Sequence, residues 1–258
     1  MNNKNDINKN NIENNITKIN SNNKNNSTQK INKTKKQTKS TKKKNTNNIT
    51  KKQIITYIKD NRKNIIIITS LILFVFITYA IFNNKITQID QMVHSHILNM
   101  RNDTLTNTLI VITNISSAYS LIVISILLLA IIKNKKIPLL ICLNLVSAYL
   151  INATAKIIFT RPRPIGINLI EESGFSYPSG HAMISMSYFG FIAYLIYKNS
   201  KNKFNKSILI ITLILTILTI GFSRIYLGVH YLSDVIGGFL LSIIYLTIYI
   251  KNINLENN

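Results

Sequence analysis

The chain has 258 residues, 47% of them hydrophobic, and several runs of about 18 nearly uncharged residues argue against a soluble fold. The formal net charge of +22 does not by itself signal nucleic acid, because residues 1–63 hold 17 of the 31 Lys and Arg against three acids, Asp6, Glu13 and Asp60. The single cysteine, Cys142, excludes an internal disulfide and a Cys-based zinc cluster, and reads as a small buried hydrophobe.

Residues 1–63 are rich in Asn and Lys and have no apolar period, so they cannot bury enough surface to offset the entropy of ordering. A disordered basic tail is expected there. It is a solvated segment that fixes membrane orientation, or an arm for anionic headgroups, and no nucleic-acid partner is expected. The first apolar run also begins too far from Met1 for a cleavable signal peptide.

Beyond the tail, apolar runs that can cross a hydrocarbon core of roughly 30 Å predict an all-α, polytopic membrane protein. Six spans are drawn at 65–82, 115–132, 137–159, 181–197, 207–222 and 235–250. They make a six-helix membrane domain over residues 64–252, followed by a short tail at 253–258. Between the first two spans, Ile86, Ile89, Val93, Ile97 and Met100 recur at spacings of three and four, which predicts an amphipathic helix at the outer interface. His94 and His96 on it lack a third ligand nearby, so they read as solvated or headgroup-facing rather than as metal ligands.

The connections alternate in charge. The tail and the loops at 133–136 and 198–206 are basic, whereas Asp90, Asp103, Glu171 and Glu172 lie in the opposite loops. Lys and Arg near span ends mark the cytoplasmic side, so both termini are expected there and segments 83–114, 160–180 and 223–234 face outward in a cell membrane. In the third span Asn144, Ala148, Asn152 and Lys156 follow a four-residue period. They form a polar stripe turned into the bundle and leading to Lys156.

Three polar constellations remain. In KIIFTRPRP (156–164), two prolines force the chain out of helical geometry and aim Lys156 and Arg163, with Arg161, at one region. In YPSGHAM (177–183), Ser179 can cap the incoming helix and Gly180 allows a ligand close to the unpaired N–H groups. In SRIYLGVHYLSD (223–234), His230 and Asp234 stand four apart, where they can touch on one helix face beside Arg224. Each alone reads equally as a snorkelling cation cluster, a plain cap or a structural pair. The predicted topology, however, brings all three to one membrane face. Fixed positive charge, backbone donors and two histidines suit phosphoryl transfer, and without a carboxylate cluster for magnesium the simplest route is a phosphohistidine, with no metal and no cofactor.

These residues resemble the type 2 phosphatidic acid phosphatase and vanadium haloperoxidase superfamily. Its signatures K-x6-RP, PSGH and SR-x5-H-x3-D stand here at 156–164, 178–181 and 223–234, and all eleven specified positions match. The resemblance covers about residues 65–250 and implies a six-helix membrane hydrolase acting on a lipid phosphate monoester or a prenyl diphosphate such as undecaprenyl diphosphate. It implies that His230 attacks phosphorus while Asp234 orients it. His181 then protonates the leaving oxygen, and Lys156, Arg163, Ser179, Gly180 and Arg224 cradle the phosphate. A lipid phosphotransferase with the same pocket and a non-catalytic lipid-binding or transport relative are the alternatives. The motifs contact only phosphate, so the lipid is not legible.

Overall fold

The computed structural model describes Gln53 and residues 56–253, and every regular element among them is helical. The tail expected over residues 1–63 falls almost wholly outside the described residues, and its described end, residues 56–60, is helical. The described residues from Lys63 onward cluster as one compact unit. Its helices are α1 (Arg62–Phe82), α2 (Thr87–Asn99), α3 (Asp103–Asn114), α4 (Ala118–Ile131), α5 (Lys136–Phe159), α6 (Gly180–Asn199), α7 (Lys203–Tyr226) and α8 (Leu232–Asn252).

Local chemistry sets several of the boundaries. The Asn102 side chain accepts from the Leu105 N–H at the start of α3, and Asn202 does the same for Phe204 and Asn205 at the start of α7. Thr160, with φ +46°, turns the chain into the left-handed region after α5, and Pro162 and Pro164 keep it from resuming a helix. Two adjacent serines separate α3 from α4. Ser116 Oγ donates back to the Thr113 carbonyl at 3.0 Å, while Ser117 Oγ accepts from the Ser120 N–H at 3.2 Å. The expected second span therefore shrinks to the 14 residues of α4, and α3 and α4 qualify as a span only as a pair bent by 48°.

Among the described residues, α1, α5, α7 and α8 are each long and apolar enough to cross a membrane, and the bent pair makes a fifth, where six spans were expected. The remaining candidate, α6, has 20 residues and packs against α5, α7 and α8. It buries Ser185 and Ser187 along with Met183, Tyr188 and Phe191, so its composition is less apolar than that of the helices around it. Outward faces carry Phe76, Leu150, Ile157 and Leu218, each more than half exposed. Such faces suit lipid, where helices associate by close packing and hydrogen bonds rather than by hiding apolar surface.

Packing of that kind is visible at several crossings. Tyr188 OH meets Ser125 Oγ at 3.0 Å, and Tyr249 OH donates to the Leu140 carbonyl at 2.7 Å. Tyr177 lies between α1 and α8, with its OH 2.8 Å from Thr78 Oγ1 and its ring stacked on Phe74. Gly237 makes room for it, since a Cβ there would stand 2.3 Å from the Tyr177 ring. On α5, Asn144, Ala148 and Asn152 face inward as their spacing predicts, and Asn152 Nδ2 donates to the Pro178 carbonyl at 3.3 Å. The stripe thus ties α5 to the segment that opens α6, where the second constellation lies.

Candidate active site

The three constellations meet at one end of α5, α6, α7 and α8, around His230. This histidine is 1% exposed and lies in the turn between α7 and α8, four residues beyond the end of α7 and two before the start of α8. The turn is shaped locally. Gly228 takes φ +75°, where a Cβ would meet the Ile167 carbonyl oxygen at 2.2 Å, and the Val229 and His230 N–H groups both point to the Arg224 carbonyl.

The expected pairing of His230 and Asp234 on a helix face is corrected in detail. His230 precedes α8 and Asp234 sits in its first turn, where Oδ2 accepts from the Tyr231 N–H at 2.8 Å and so caps the helix. The His230 Nδ1 to Asp234 Oδ2 distance is 3.6 Å, and Ser176 stands between them. Its Oγ donates to Asp234 Oδ2 at 2.6 Å and lies 3.2 Å from His230 Nδ1. With its only proton given to the carboxylate, the hydroxyl accepts from Nδ1–H. At the other ring nitrogen, Arg163 Nη1 lies 3.2 Å from Nε2, and a guanidinium can only donate. Both contacts select the same tautomer: proton on Nδ1, lone pair on Nε2. Burial, above all, pushes the imidazole down to about 4, Asp234 works against that shift, and Arg163 and Lys156 add to it. The ring is therefore neutral near pH 7.

The cations surround that lone pair but are already engaged. Arg163 donates to the carbonyls of Ser173, Gly174 and Val229 at 2.9–3.0 Å. Arg224, 1% exposed, donates through Nη1 to Thr113 Oγ1 at 2.9 Å and through Nη2 to Glu172 Oε1. The Glu172 carboxylate also lies 3.7 Å from Arg163 Nη2, so one carboxylate bridges two of the expected phosphate ligands. Lys156 Nζ donates to the Phe175 carbonyl. His181, in the first turn of α6, lies within the electrostatic reach of Arg224, His230, Lys156 and Arg163.

Ser179 occupies the N-cap position of α6, yet its side chain does not cap the helix as expected. Its N–H donates to the Asp234 carbonyl at 3.0 Å, and its buried Oγ has no protein partner. Gly180 follows, backed by Asn152 and Lys156, which lie 3.0 and 3.9 Å from where a Cβ would stand. All eight expected site residues therefore belong to one cluster. Among the described residues, no group of three or more His, Cys, Asp or Glu side chains is arranged to hold a metal ion.

Arg161 departs from expectation. It does not join the other cations but donates through Nη1 to Asp234 Oδ1 at 2.6 Å and through Nη2 to Asp90 Oδ2 at 2.9 Å, with its guanidinium 4.3 Å from the Tyr231 ring centre. Burial disfavours its charge, and the Asp234 and Asp90 carboxylates reverse that, so it holds its proton more tightly than a free arginine. The helix expected at the interface is present as α2, but its buried face carries Asp90, His94 and Ile97, while Ile89 and Met100 are exposed. His94 is thus buried rather than solvated, and Nε2–H donates to the His230 carbonyl at 3.2 Å. His96 is exposed, as expected. Asp90, Ser176, Glu172 and His94 were not legible as site residues. The four-residue spacing of Asp90 and His94 was the one available signal.

Residues 137–257 match the PAP2 superfamily, a stretch that contains all three constellations. Phosphatidylglycerophosphatase B of Bacillus subtilis (strain 168) is 34% identical over 96 residues, which are 37% of this chain and 47% of that protein; the match spans about half the length of this curated relative. The crystal structure of the first transmembrane PAP2 type phosphatidylglycerolphosphate phosphatase from Bacillus subtilis superposes with a TM-score of 0.67 at 26% identity, covering 74% of this chain and 98% of that one. The crystal structure of Aquifex aeolicus LpxE superposes with a TM-score of 0.52 at 25% identity, over 64% and 94%. The three motifs that gather around the buried histidine all lie within the residues that match the PAP2 superfamily, and the fold is similar to that of these membrane phosphatases.

Proposed function

We propose that the protein is an integral-membrane lipid phosphatase that hydrolyses a lipid phosphate monoester through a phosphohistidine, without a metal. The observation that carries this reading is the state of His230: a neutral imidazole whose Nε2 lone pair faces a cluster of arginines and a lysine. A lone pair in such a field meets a phosphate as it arrives.

The geometry supports these steps. The phosphate displaces the Glu172 carboxylate and takes up Arg163, Arg224, Lys156, the Gly180 N–H and the free Ser179 hydroxyl, which spread the negative charge of the transition state. Nε2 of His230 forms a bond to phosphorus as the bond from phosphorus to the lipid oxygen breaks. The negative charge of the bound phosphate favours the protonated form of His181, which gives its proton to that oxygen. Positive charge appearing on the His230 ring is stabilised through Nδ1–H, Ser176 and Asp234. His181, now neutral, takes a proton from water as the water oxygen attacks phosphorus and the P–N bond breaks, releasing inorganic phosphate and restoring both histidines.

Phosphatidylglycerophosphate is the first substrate to try, since the Bacillus subtilis relative and the Bacillus subtilis structure are both named for it. The six-span topology and the extracytoplasmic site belong to the same proposal. In it α6 crosses as the enclosed central helix and the basic loops at 133–136 and 198–206 lie in the cytoplasm.

The test is phosphate release from a panel of phosphatidylglycerophosphate, phosphatidate and a polyprenyl diphosphate in the presence of chelator, comparing wild type with His230→Ala. Release by wild type and loss of about a thousandfold or more in the variant is expected. Equal release by the two proteins sinks the nucleophile assignment, and loss of wild-type activity in chelator sinks the metal-free route. Adding an alcohol acceptor and analysing products separates hydrolysis from phosphotransfer.

A further inference from the structure

Asp90 lies on α2, outside the matched domain, and 143 residues from its hydrogen-bond partner Ser233. We propose that it is a positioning residue for the His230–Asp234 pair, acting through Arg161 and Ser233. This rests on the phosphatase reading of the site.

The carboxylate is 1% exposed and its acceptor capacity is used in one direction. Oδ1 accepts from the Ser233 N–H at 3.0 Å, and Oδ2 accepts from Ser233 Oγ at 2.6 Å and from Arg161 Nη2 at 2.9 Å. Arg161 then reaches on through Nη1 to Asp234 Oδ1 at 2.6 Å and to Ser233 Oγ at 2.7 Å. A buried charge is retained only where it is paired and hydrogen-bonded, and here two carboxylates share one guanidinium fork. The consequence lies at Asp234. Arg161 holds Oδ1 and so restrains rotation of the carboxylate, while Oδ2 takes the Tyr231 N–H and the Ser176 hydroxyl, which links it to the imidazole. Asp90 fixes the Arg161 that fixes Asp234. From the same helix face, one turn on, His94 holds the His230 carbonyl, so α2 grips the nucleophile from both sides.

The trio of Asp90, Arg161 and Asp234 also has a net charge, formally −1, and that charge acts on the ring. Removing the Asp90 charge leaves Arg161 and Asp234 balanced, so the imidazolium loses stabilisation and His230 titrates at lower pH. Removing the Arg161 charge leaves two carboxylates, and His230 titrates at higher pH. The other charged or titratable groups facing His230 are Lys156 from α5, Arg163 from the loop after it, His181 from α6, Arg224 from α7, and Glu172, which pairs with both arginines. They are unchanged in either variant. A residue that merely staples α2 to the bundle has no reason to move the titration in opposite directions.

The experiment uses the full chain in lipid nanodiscs, with Asp90→Asn, Arg161→Gln and Asp90→Glu compared with wild type. For Asp90→Asn, kcat on short-chain phosphatidate is expected to fall on the order of tenfold to a hundredfold with KM little changed. The acid limb of kcat/KM is expected to move down by about half a unit to one unit, and in Arg161→Gln to move up by a similar amount. Asp90→Glu restores the charge and so the limb, while recovering only part of kcat. Wild-type kcat and an unmoved limb in Asp90→Asn overturn the proposal, as does a limb that moves the same way in Asp90→Asn and Arg161→Gln. If Asp90→Asn does not fold, Ser233→Ala cuts one link between Asp90 and Arg161 and carries the same test of kcat, with an unchanged kcat overturning the proposal. Titration of the His230 ring by NMR on histidine-labelled protein needs no substrate. The opposed shifts are expected there even if the phosphatase reading fails, and their absence overturns the proposal even if that reading holds.

Discussion

At the residue scale, the proposed chemistry turns on a single proton in the His230 ring. Ser176 is the group that places it, by giving its hydroxyl hydrogen to Asp234 and accepting from Nδ1–H. Ser176→Ala is therefore expected to lower kcat on the order of tenfold with little change in KM, because the ring loses a partner that matters more as positive charge develops. Steady-state kinetics on phosphatidate check this. The pH dependence follows from the same ring. As the proposed nucleophile His230 must be unprotonated, and burial holds it down to about 4, so kcat/KM is expected to stay high from neutral pH down to about pH 5 on its account and to fall as pH drops through the ring's own value. Glu172 supplies a further expectation. Its carboxylate occupies Arg163 and Arg224 in the absence of phosphate, so Glu172→Gln should bind inorganic phosphate more tightly, seen as a lower inhibition constant. The eleven motif positions were legible because their order and spacing survive in one dimension. Ser176 and Glu172 were not, because segment 165–177 has no period and its side chains acquire meaning only when the loop folds back onto the turn after α7.

At the scale of elements, the apolar runs of α1, α5, α7 and α8 carried their own signal, and so did the inward stripe of α5. The break between α3 and α4 is subtler. Ser116 and Ser117 each use a hydroxyl to satisfy a helix end, and a hydropathy run hides that choice because serine interrupts it only weakly. The face of α2 was misread for a related reason. Its apolar residues suggested one stripe, but a buried carboxylate paired with an arginine 71 residues away turned the helix so that Ile89 faces out. No local rule reports a partner at that distance. Close packing gives the sharpest test at this scale. In Gly237→Ala the new methyl meets the Tyr177 ring at 2.3 Å, so the Tyr177–Thr78 hydrogen bond between the α6 approach and α1 must shift. A loss of about 1–3 kcal/mol is expected, measured by thermal unfolding in detergent.

At the scale of the whole molecule, orientation is the testable property. With the loop at 198–206 in the cytoplasm, a cysteine placed there in a Cys142→Ser chain should resist an impermeant thiol reagent in intact cells and react after permeabilisation. A cysteine placed in the segment 165–173 should show the reverse. Helix α4 adds a consequence of another sort. Its 14 residues extend about 21 Å, well short of a hydrocarbon core of roughly 30 Å, and the chain enters it through a 48° bend from α3, which packs on α7 beside the site. Where lipid meets α4 rather than the whole bent pair, the bilayer is expected to thin along that flank. The protein then shapes its own meniscus, and its turnover should depend on the acyl-chain length of the surrounding, unreactive lipid: faster in thin bilayers, slower in thick ones, with the same substrate at the same mole fraction.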